Sequence, residues 1–170
     1  DDLDRVQFAK VDWMPELEGK TLKYWCQLNG LTPSVENGAE LVIKAQTMGG
    51  ASCVFHAMDE GDVINIMKHP QTMIASDGRL VKLGEGHPHP RWYGTFPRVL
   101  GKYVREEGVL SLEEALYKMT AFPAQIMGLE NRGRIEEGMK ADITIFDPKT
   151  IIDMATFEEP HQYSKGIQYV

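Results

Sequence analysis

Cysteine is scarce in this sequence, and long apolar runs are missing from it. Cys26 and Cys53 are the only cysteines among 170 residues, too few for a disulfide framework and too far apart in sequence for a paired-cysteine metal site. We therefore expect both to be reduced and buried. No apolar stretch approaches the roughly 18 residues that would span a bilayer, so the sequence does not predict a membrane span.

An excess of positive charge is also lacking. The chain has 18 basic and 25 acidic residues, a formal net charge of −7, and these charges are scattered, so no basic face is offered to nucleic acid or anionic lipid. The first residues, Asp1-Asp2-Leu3-Asp4, lack the basic-then-apolar order of a signal peptide, and we expect a cytoplasmic protein. Because the chain has no initiator Met and stops on the strand-like run 166–170, we expect a piece of something longer.

The hydrophobic pattern predicts alternating helices and strands. The composition, 42% hydrophobic and 25% charged, is that of an ordinary globular domain. We predict strands at 5–11, 51–57 and 71–75, a hairpin over 134–146 and a further strand at the chain's end. We also predict a helix over 21–28 and helices whose N-caps are Thr32, Asp59, Thr95 and Ser111. The order strand, helix, strand over 51–75 predicts a βαβ unit with parallel strands, which places Asp77 at a strand's carboxyl end.

Chemistry-bearing residues concentrate around Ser76-Asp77-Gly78 and the loop that follows it. Asp77 is our candidate acid/base, because carboxylates at strand ends are held in a fixed direction while the loops beyond them vary. Its alternative is ordinary Asp-Gly turn chemistry. Arg91 follows two prolines that stiffen its loop, which suits a guanidinium fork binding a carboxylate. The alternative for Arg91 is a salt bridge to an acid such as Glu85.

The histidines offer weaker candidates for a metal site. His87-Pro88-His89 has the spacing of an H-x-H ligand pair, since residues two apart in an extended segment point the same way. The alternative is a rigid turn that delivers Arg91. Each of the other three histidines also has a structural explanation or no interpretable context: His56 as a hydrogen-bonded core residue, His69 at a helix end, and His161 in the irregular tail.

Several blocks resemble one family. Residues 74–78, the run His87-Pro88-His89-Pro90-Arg91 and the block Gly94-Thr95-Phe96-Pro97-Arg98 resemble the C-terminal part of N-acyl-D-amino-acid deacylases (D-aminoacylases) of the amidohydrolase superfamily. The segments 111–129 and 132–148 are similar to the last barrel helices and the return into a small β domain that the whole superfamily shares. The tail over 153–166 looks like the deacylase tail.

The resemblance implies an α/β fold, the C-terminal part of a (β/α)₈ (TIM) barrel followed by strands of a small β-sandwich. Residues 1–130 would belong to the barrel, and residues 131–170 to the return strands and tail. The activity implied is hydrolysis of an N-acyl-D-amino acid to a carboxylate and a D-amino acid, with one or two zinc ions. The implied partners are this small-molecule substrate and either an N-terminal barrel segment outside this sequence or another copy of the chain.

The resemblance also implies roles for two residues. Asp77 matches the catalytic aspartate after the eighth strand, which is also a weak or transient metal ligand, and Arg91 matches the residue expected to bind the substrate's α-carboxylate. No segment here matches the family's other metal ligands, so we expect the 170 residues to be inactive alone and to hold no catalytic zinc. Two alternatives stay open: a cyclic-amide hydrolase of the dihydroorotase or hydantoinase type, and a non-catalytic module that packs against a partner chain.

Overall fold

The structure is a computed structural model that describes residues 2–170. Its helices are α1 (Leu22–Leu28), α2 (Val35–Thr47), α3 (Glu60–Lys68), α4 (Arg91–Arg98), α5 (Leu112–Met119) and α6 (Ala121–Ile126), with a π-helix (Val99–Glu106) directly after α4 and 3₁₀ turns at Asp2–Arg5 and Pro15–Leu17. Its strands are β1 (Val6–Lys10), β2 (Ser52–Phe55), β3 (Ile145–Phe146) and β4 (Ile167–Tyr169). Within residues 2–170, no helix is long and apolar enough to span a membrane.

The chain divides into two compact units. The first comprises residues up to Met58 together with Leu80–Pro90 and Thr156–His161. In it β1 pairs antiparallel with β2, Phe8 lying opposite Cys53, and on its other side the Phe8 N–H donates to the Lys20 carbonyl at 2.8 Å. Its core holds Phe8, Val11, Leu17, Leu22, Trp25, Cys26, Leu41 and Ala45. Both strand edges of β1 are therefore satisfied.

The second unit comprises Asp59–Arg79, Arg91–Ala155 and Gln162–Val170. Its core is formed mainly by the π-helix, α5 and the tail, with the buried residues Met67, Val99, Leu100, Tyr103, Leu110, Ala115 and Ile151. In the same unit β3 pairs antiparallel with β4. The predicted strand at the chain's end is confirmed, and its partner is β3.

Two of the four predicted N-caps, Asp59 and Ser111, are confirmed, and Thr21 caps the helix that we predict over 21–28. Thr21 accepts from the Tyr24 N–H, Asp59 from Gly61 and Asp62, and Ser111 forms a capping box with Glu114. The N-cap predicted at Thr32 is wrong, because Ser34 takes that role and accepts from the Asn37 N–H at 3.2 Å. The Asn37 amide instead donates to the Thr32 carbonyl at 2.8 Å, outside the helix.

The helix predicted to start at Thr95 starts at Arg91 instead. Thr95 lies inside α4, where its hydroxyl donates to the Arg91 carbonyl at 3.0 Å, an alternative to capping that threonine has in helix interiors. Pro97 also lies inside the helix and, having no N–H, leaves the Tyr93 carbonyl without its intrahelical donor. Ser164 Oγ donates to that carbonyl at 3.1 Å, so the helix continues past a proline that we read as a helix start.

The predicted strand over 71–75 and its parallel βαβ unit are wrong. Residues 73–80 have no regular secondary structure, and both sheets among residues 2–170 are antiparallel pairs. A strand needs a neighbour to complete its ladder, and in the described chain the Ile74 N–H donates to the Lys118 carbonyl of α5, at 3.1 Å. Asp77 therefore follows an extended connector, not a strand.

The predicted hairpin over 134–146 is wrong in its pairing. The turn exists, since the Met139 N–H donates to the Glu136 carbonyl at 3.2 Å and Gly138 has a φ of +86°. Ile145 nevertheless pairs with Tyr169, and Phe146 with Ile167. A turn reverses the chain direction only locally. Here β4, at the end of the chain, forms the pairing with β3 that we predicted for residues 134–136.

The two cysteines are free. Cys26 is buried and Cys53 is half-buried, and removal from water raises the pKa of each thiol. A raised pKa keeps a thiol protonated and unreactive at neutral pH. The prediction of reduced, buried cysteines is confirmed for Cys26, whereas Cys53 is only half-buried.

An ion pair joins α3 to the π-helix and makes stability dependent on pH. Lys102 Nζ lies 2.5 Å from Glu60 Oε1, and the Tyr103 hydroxyl donates to the same oxygen at 2.9 Å. The hydrogen bond from Lys102, helped by Tyr103, lowers the pKa of Glu60 below its ordinary 4.5. A carboxyl group with a lowered pKa stabilises the fold above the unfolded-state pKa, and the effect is lost as the pH falls through the folded-state value.

We therefore predict that Glu60→Gln lowers the free energy of unfolding at pH 7 and that this loss shrinks as the pH falls below about 4.5. Urea unfolding at pH 7 and at pH 3 measures both values. Glu113→Gln, a change of the same kind at another helix start, serves as the control. A loss that is equally large at both pH values would contradict the assignment of the stabilising group.

Candidate functional site

The loop Ser76-Asp77-Gly78 holds Asp77 in an unusual backbone conformation. Asp77 has a φ of +47°, the one positive value for a non-glycine residue among residues 2–170. Aspartate adopts this left-handed region more readily than most residues. The Gly78 N–H donates to Ser76 Oγ at 3.1 Å, which closes the turn from inside. The Asp77 side chain is 82% exposed, so the turn presents the carboxylate and does not bury it.

Arg91 is the partner of this carboxylate. Its Nη2 lies 2.6 Å from Asp77 Oδ2, within the range of charge-assisted hydrogen bonds. The contact follows from close packing of the loop on α4: a Cβ built on Gly78 would lie 3.4 Å from the Trp92 Cα and 3.6 Å from the Arg91 carbonyl oxygen. Arg91 is the first residue of α4, where a positive charge is unfavourable to the helix dipole, and the nearby carboxylate offsets that repulsion.

The rest of α4 is fixed from the tail side. Arg98 Nη1 donates to Asp153 Oδ2 at 3.0 Å, and the Asp153 side chain is 9% exposed. A Cβ on Gly94 would lie 2.5 Å from the Asp153 Cβ, so only glycine allows this approach. Pairing with Asp153 raises the pKa of Arg98 against the opposing effect of burial. The helix that carries Arg91 is thus held along its length, while the Arg91 side chain itself stays 42% exposed.

The His87-Pro88-His89 turn packs on Phe157 in the first unit. His87 Nε2 lies 2.6 Å from the Phe157 carbonyl oxygen, and the His87 N–H donates to the Ala9 carbonyl at 2.7 Å. The ring of His89 meets the Phe157 ring edge-on, with centroids 5.0 Å apart. Pro88 between them is buried. These contacts are structural, and they favour the rigid turn over the H-x-H ligand pair.

The remaining histidines bind main-chain or amide groups. His56 Nε2 lies 3.1 Å from Gln7 Oε1. His69 Nδ1 accepts from the Gln71 N–H at 3.3 Å. His161 Nδ1 accepts from the Gly84 N–H at 3.2 Å, and its Nε2 lies 3.0 Å from the Gly86 carbonyl oxygen. Each of these three rings therefore has a hydrogen-bond partner within the protein.

Residues 2–170 contain no group of three or more His, Cys, Asp and Glu side chains placed to hold a metal ion. A catalytic zinc site needs three protein ligands and an open position. Asp77 could supply one oxygen, and the nearest charged group to it is the guanidinium of Arg91. The described residues therefore do not fit a complete metal site.

Gln7 makes contacts with the histidines of the first unit that the sequence did not predict. It lies in β1, and its amide contacts two histidines: Oε1 lies 3.1 Å from His56 Nε2, and Nε2 lies 3.4 Å from His87 Nε2. Its Nε2 also donates to the Phe157 carbonyl at 3.2 Å. The one signal in the sequence is a polar residue in the middle of the strand predicted at 5–11.

Comparison with known proteins identifies relatives along the whole chain. The chain is 44% identical to the N-acyl-D-glutamate deacylase of Alcaligenes xylosoxydans xylosoxydans over 98% of its own length and 33% of that protein. It is 40% identical to the D-aminoacylase of the same organism over 91% of its own length and 33% of the relative. The chain thus spans about a third of the length of the curated relatives it matches.

A solved structure gives the same result. The N-acyl-D-glutamate deacylase of Bordetella bronchiseptica, crystallised with zinc and a phosphonate inhibitor that mimics the tetrahedral intermediate, matches with a TM-score of 0.84 and 36% identity. The match covers 98% of this chain and 33% of that one. The model of the amidohydrolase family matches residues 37–170. The resemblance inferred from the sequence is confirmed, and the chain belongs to the amidohydrolase family.

Proposed function

We propose that this chain is the part of an N-acyl-D-amino-acid deacylase that carries its catalytic aspartate and its substrate-binding arginine. The observation that carries the proposal is the 2.6 Å contact between Asp77 and Arg91, which puts an exposed acid beside an exposed carboxylate-binding cation. Relatives named as deacylases of N-acyl-D-amino acids, each about three times as long, supply the reaction class.

The fold we propose for the longer protein is the (β/α)₈ barrel with a small β domain. Residues 1–130 would contribute to the barrel, and residues 131–170 would return to the small domain and form the tail. The antiparallel pairing of β3 with β4 supports a return strand there. The connector over 71–75 would gain a parallel neighbour only from residues outside this chain. The cytoplasmic location stays a prediction.

In the proposed reaction Asp77 moves one proton. The carboxylate accepts a proton from water while the water oxygen bonds to the amide carbonyl carbon, and it then delivers that proton to the leaving nitrogen as the C–N bond breaks. The products are a carboxylate and a free D-amino acid. The left-handed turn suits this role, because it holds the carboxylate outward from the chain, 82% exposed, where water and substrate can both reach it.

Arg91 holds the substrate's α-carboxylate in this proposal. In the structure the carboxylate on its guanidinium belongs to Asp77. Ion pairs between exposed side chains contribute about 0–1 kcal/mol, so exchange of one carboxylate for another costs little. A planar guanidinium can bind a carboxylate through two parallel N–H donors, which fixes the substrate's direction. Substrate binding would in this way turn Asp77 from a partner of Arg91 into a free base next to the amide.

Zinc belongs to the proposal for the longer protein only. A related deacylase structure contains zinc, whereas residues 2–170 form no group of metal-binding side chains. Asp77 would be at most one weak ligand, with the others supplied from outside this chain. The proposed roles of Asp77 and Arg91 rest on their own geometry.

We predict that, in a full-length polypeptide carrying these residues, Asp77→Asn lowers kcat about 10²- to 10⁴-fold, because the amide cannot accept a proton. Arg91→Ala should mainly raise KM, roughly 10- to 100-fold, the loss expected for a charged hydrogen bond. Steady-state kinetics with N-acetyl-D-glutamate and N-acetyl-D-leucine measure both values.

Arg79→Ala, an exposed arginine two residues after Asp77, is the matched control and should leave both constants within about threefold, as expected for a surface change away from the site. A fall in kcat for Arg91→Ala with unchanged KM would exchange the two roles. Turnover of dihydroorotate or hydantoin in place of the N-acyl-D-amino acids would favour a cyclic-amide hydrolase, and no turnover of any amide would favour the non-catalytic module.

Backbone conformation gives a separate prediction for the same residue. Asp77→Ala should destabilise the fold by about 1–2 kcal/mol, because in the left-handed region the alanine Cβ lies too close to the carbonyl oxygen that follows it. Asp77→Asn should cost less, since asparagine tolerates this region. Asp77→Gly should be as stable as Asp77→Asn or more so. Thermal unfolding of the three variants checks the order, and equal stability of the alanine and glycine variants would contradict the strained turn.

A further inference from the structure

One buried lysine anchors the segment that leads to Asp77. Lys118 lies in the last turn of α5, 5% exposed, and it is the one charged residue buried in the described part of the chain. Burial of an ammonium group is costly unless hydrogen bonds replace its water. A buried lysine therefore indicates that hydrogen-bond acceptors surround its ammonium group.

The acceptors are main-chain carbonyls of the connector between α3 and Asp77. Lys118 Nζ donates to the His69 carbonyl at 2.5 Å and to the Thr72 carbonyl at 2.9 Å. The Lys118 carbonyl in turn accepts from the Ile74 N–H at 3.1 Å. His69 is the residue that ends α3, and a cation there is also favoured by the helix dipole.

These three bonds replace the ladder that a strand would have. Residues 73–75 belong to no sheet, and Pro70 offers no N–H of its own. The bonds reach residues 69, 72 and 74, and Asp77 follows three residues after the last of them. Ile74 also packs against the second core, which fixes the same stretch from the apolar side. The direction in which the turn presents Asp77 thus depends on Lys118 of α5, through two side-chain hydrogen bonds and one main-chain hydrogen bond.

We propose that Lys118 is a positioning residue for Asp77, and this rests on the function proposed above. Its ammonium holds the connector over 69–74 so that the Asp77 carboxylate lies within reach of the water and the leaving nitrogen. An apolar side chain of similar length would leave two carbonyls without donors, and the connector would shift to reach water. Misplacement of about 1 Å in a catalytic group can cost a hundredfold in rate.

The test uses Lys118→Met and the milder Lys118→Gln in the full-length polypeptide. We expect kcat to fall about 10- to 100-fold for Lys118→Met, with KM within threefold, because Arg91 and its carboxylate site stay in place. Lys118→Gln, which keeps an amide donor, should lie between it and the wild type. If Lys118→Met accumulates as unfolded protein, Lys118→Gln carries the kinetic comparison.

Two controls separate positioning from loss of charge or of stability. Lys68→Met removes an exposed lysine at the end of α3, and Ala115→Gly loosens α5 at a buried position without removing the ammonium. Both should keep kcat within threefold. A kcat for Ala115→Gly as low as that for Lys118→Met, or a wild-type kcat for Lys118→Met, would overturn the proposal.

Hydrogen exchange gives a readout that does not need activity. The hydrogen-bonded amides of the connector, those of His69, Thr72 and Ile74, should exchange faster in Lys118→Met than in the wild type, while those of the π-helix over 99–106 should not change. Unchanged exchange at 69–78 would overturn the positioning role. If the wild-type polypeptide turned over none of the N-acyl-D-amino acids, the proposed function would fail, and the exchange measurement would still decide whether Lys118 holds the connector.

Discussion

The second unit depends on how one interrupted helix is stabilised. Pro97 has no N–H for the Tyr93 carbonyl, and Ser164 of the tail supplies a hydroxyl at 3.1 Å. Directly after the proline, Arg98 Nη1 donates to Oδ2 of the nearly buried Asp153 at 3.0 Å. The Ser164 hydroxyl of the tail therefore replaces the N–H donor that Pro97 lacks, and the chain continues directly into the π-helix. Without those two contacts the Tyr93 carbonyl would have no donor, and the nearly buried Asp153 would lose the positive charge of Arg98.

This stabilised helix is what makes the contact of Asp77 with Arg91 specific. Arg91 opens α4, so its Cα position is set by contacts further along the helix, whereas its side chain remains 42% exposed. Asp77 approaches from a left-handed turn with a φ of +47°. A helix held in place that carries an exposed guanidinium is a suitable arrangement for exchanging one carboxylate for another, because the main chain stays in position when the ion pair breaks.

Local chemistry made part of this structure predictable from sequence. The N-caps at Asp59 and Ser111 were predicted correctly, since a cap is decided by residues within four positions of it. The strand over 71–75 was predicted wrongly, because a strand is decided by a neighbour, and none lies beside it among residues 2–170. The start of α4 was also misplaced, since Pro97 looks like a first-turn residue until Ser164, far along the chain, is seen to satisfy the carbonyl that it frees.

The candidate site was only half predictable for the same reason. Asp77 and Arg91 were found individually, but their contact was not: Glu85 was the alternative partner for Arg91, and Glu85 Oε1 instead lies 3.6 Å from Lys10 Nζ.

The contacts of His87 and His161 indicate a structural role for these two histidines. His161 uses Nδ1 as an acceptor and Nε2 near a carbonyl oxygen, and His87 Nε2 lies 2.6 Å from the Phe157 carbonyl oxygen. A histidine that binds a metal needs one ring nitrogen deprotonated and directed at the ion, and these nitrogens are directed at main-chain groups. In the function proposed above, these 170 residues would contribute a proton carrier, Asp77, and a carboxylate-binding group, Arg91, to amide hydrolysis.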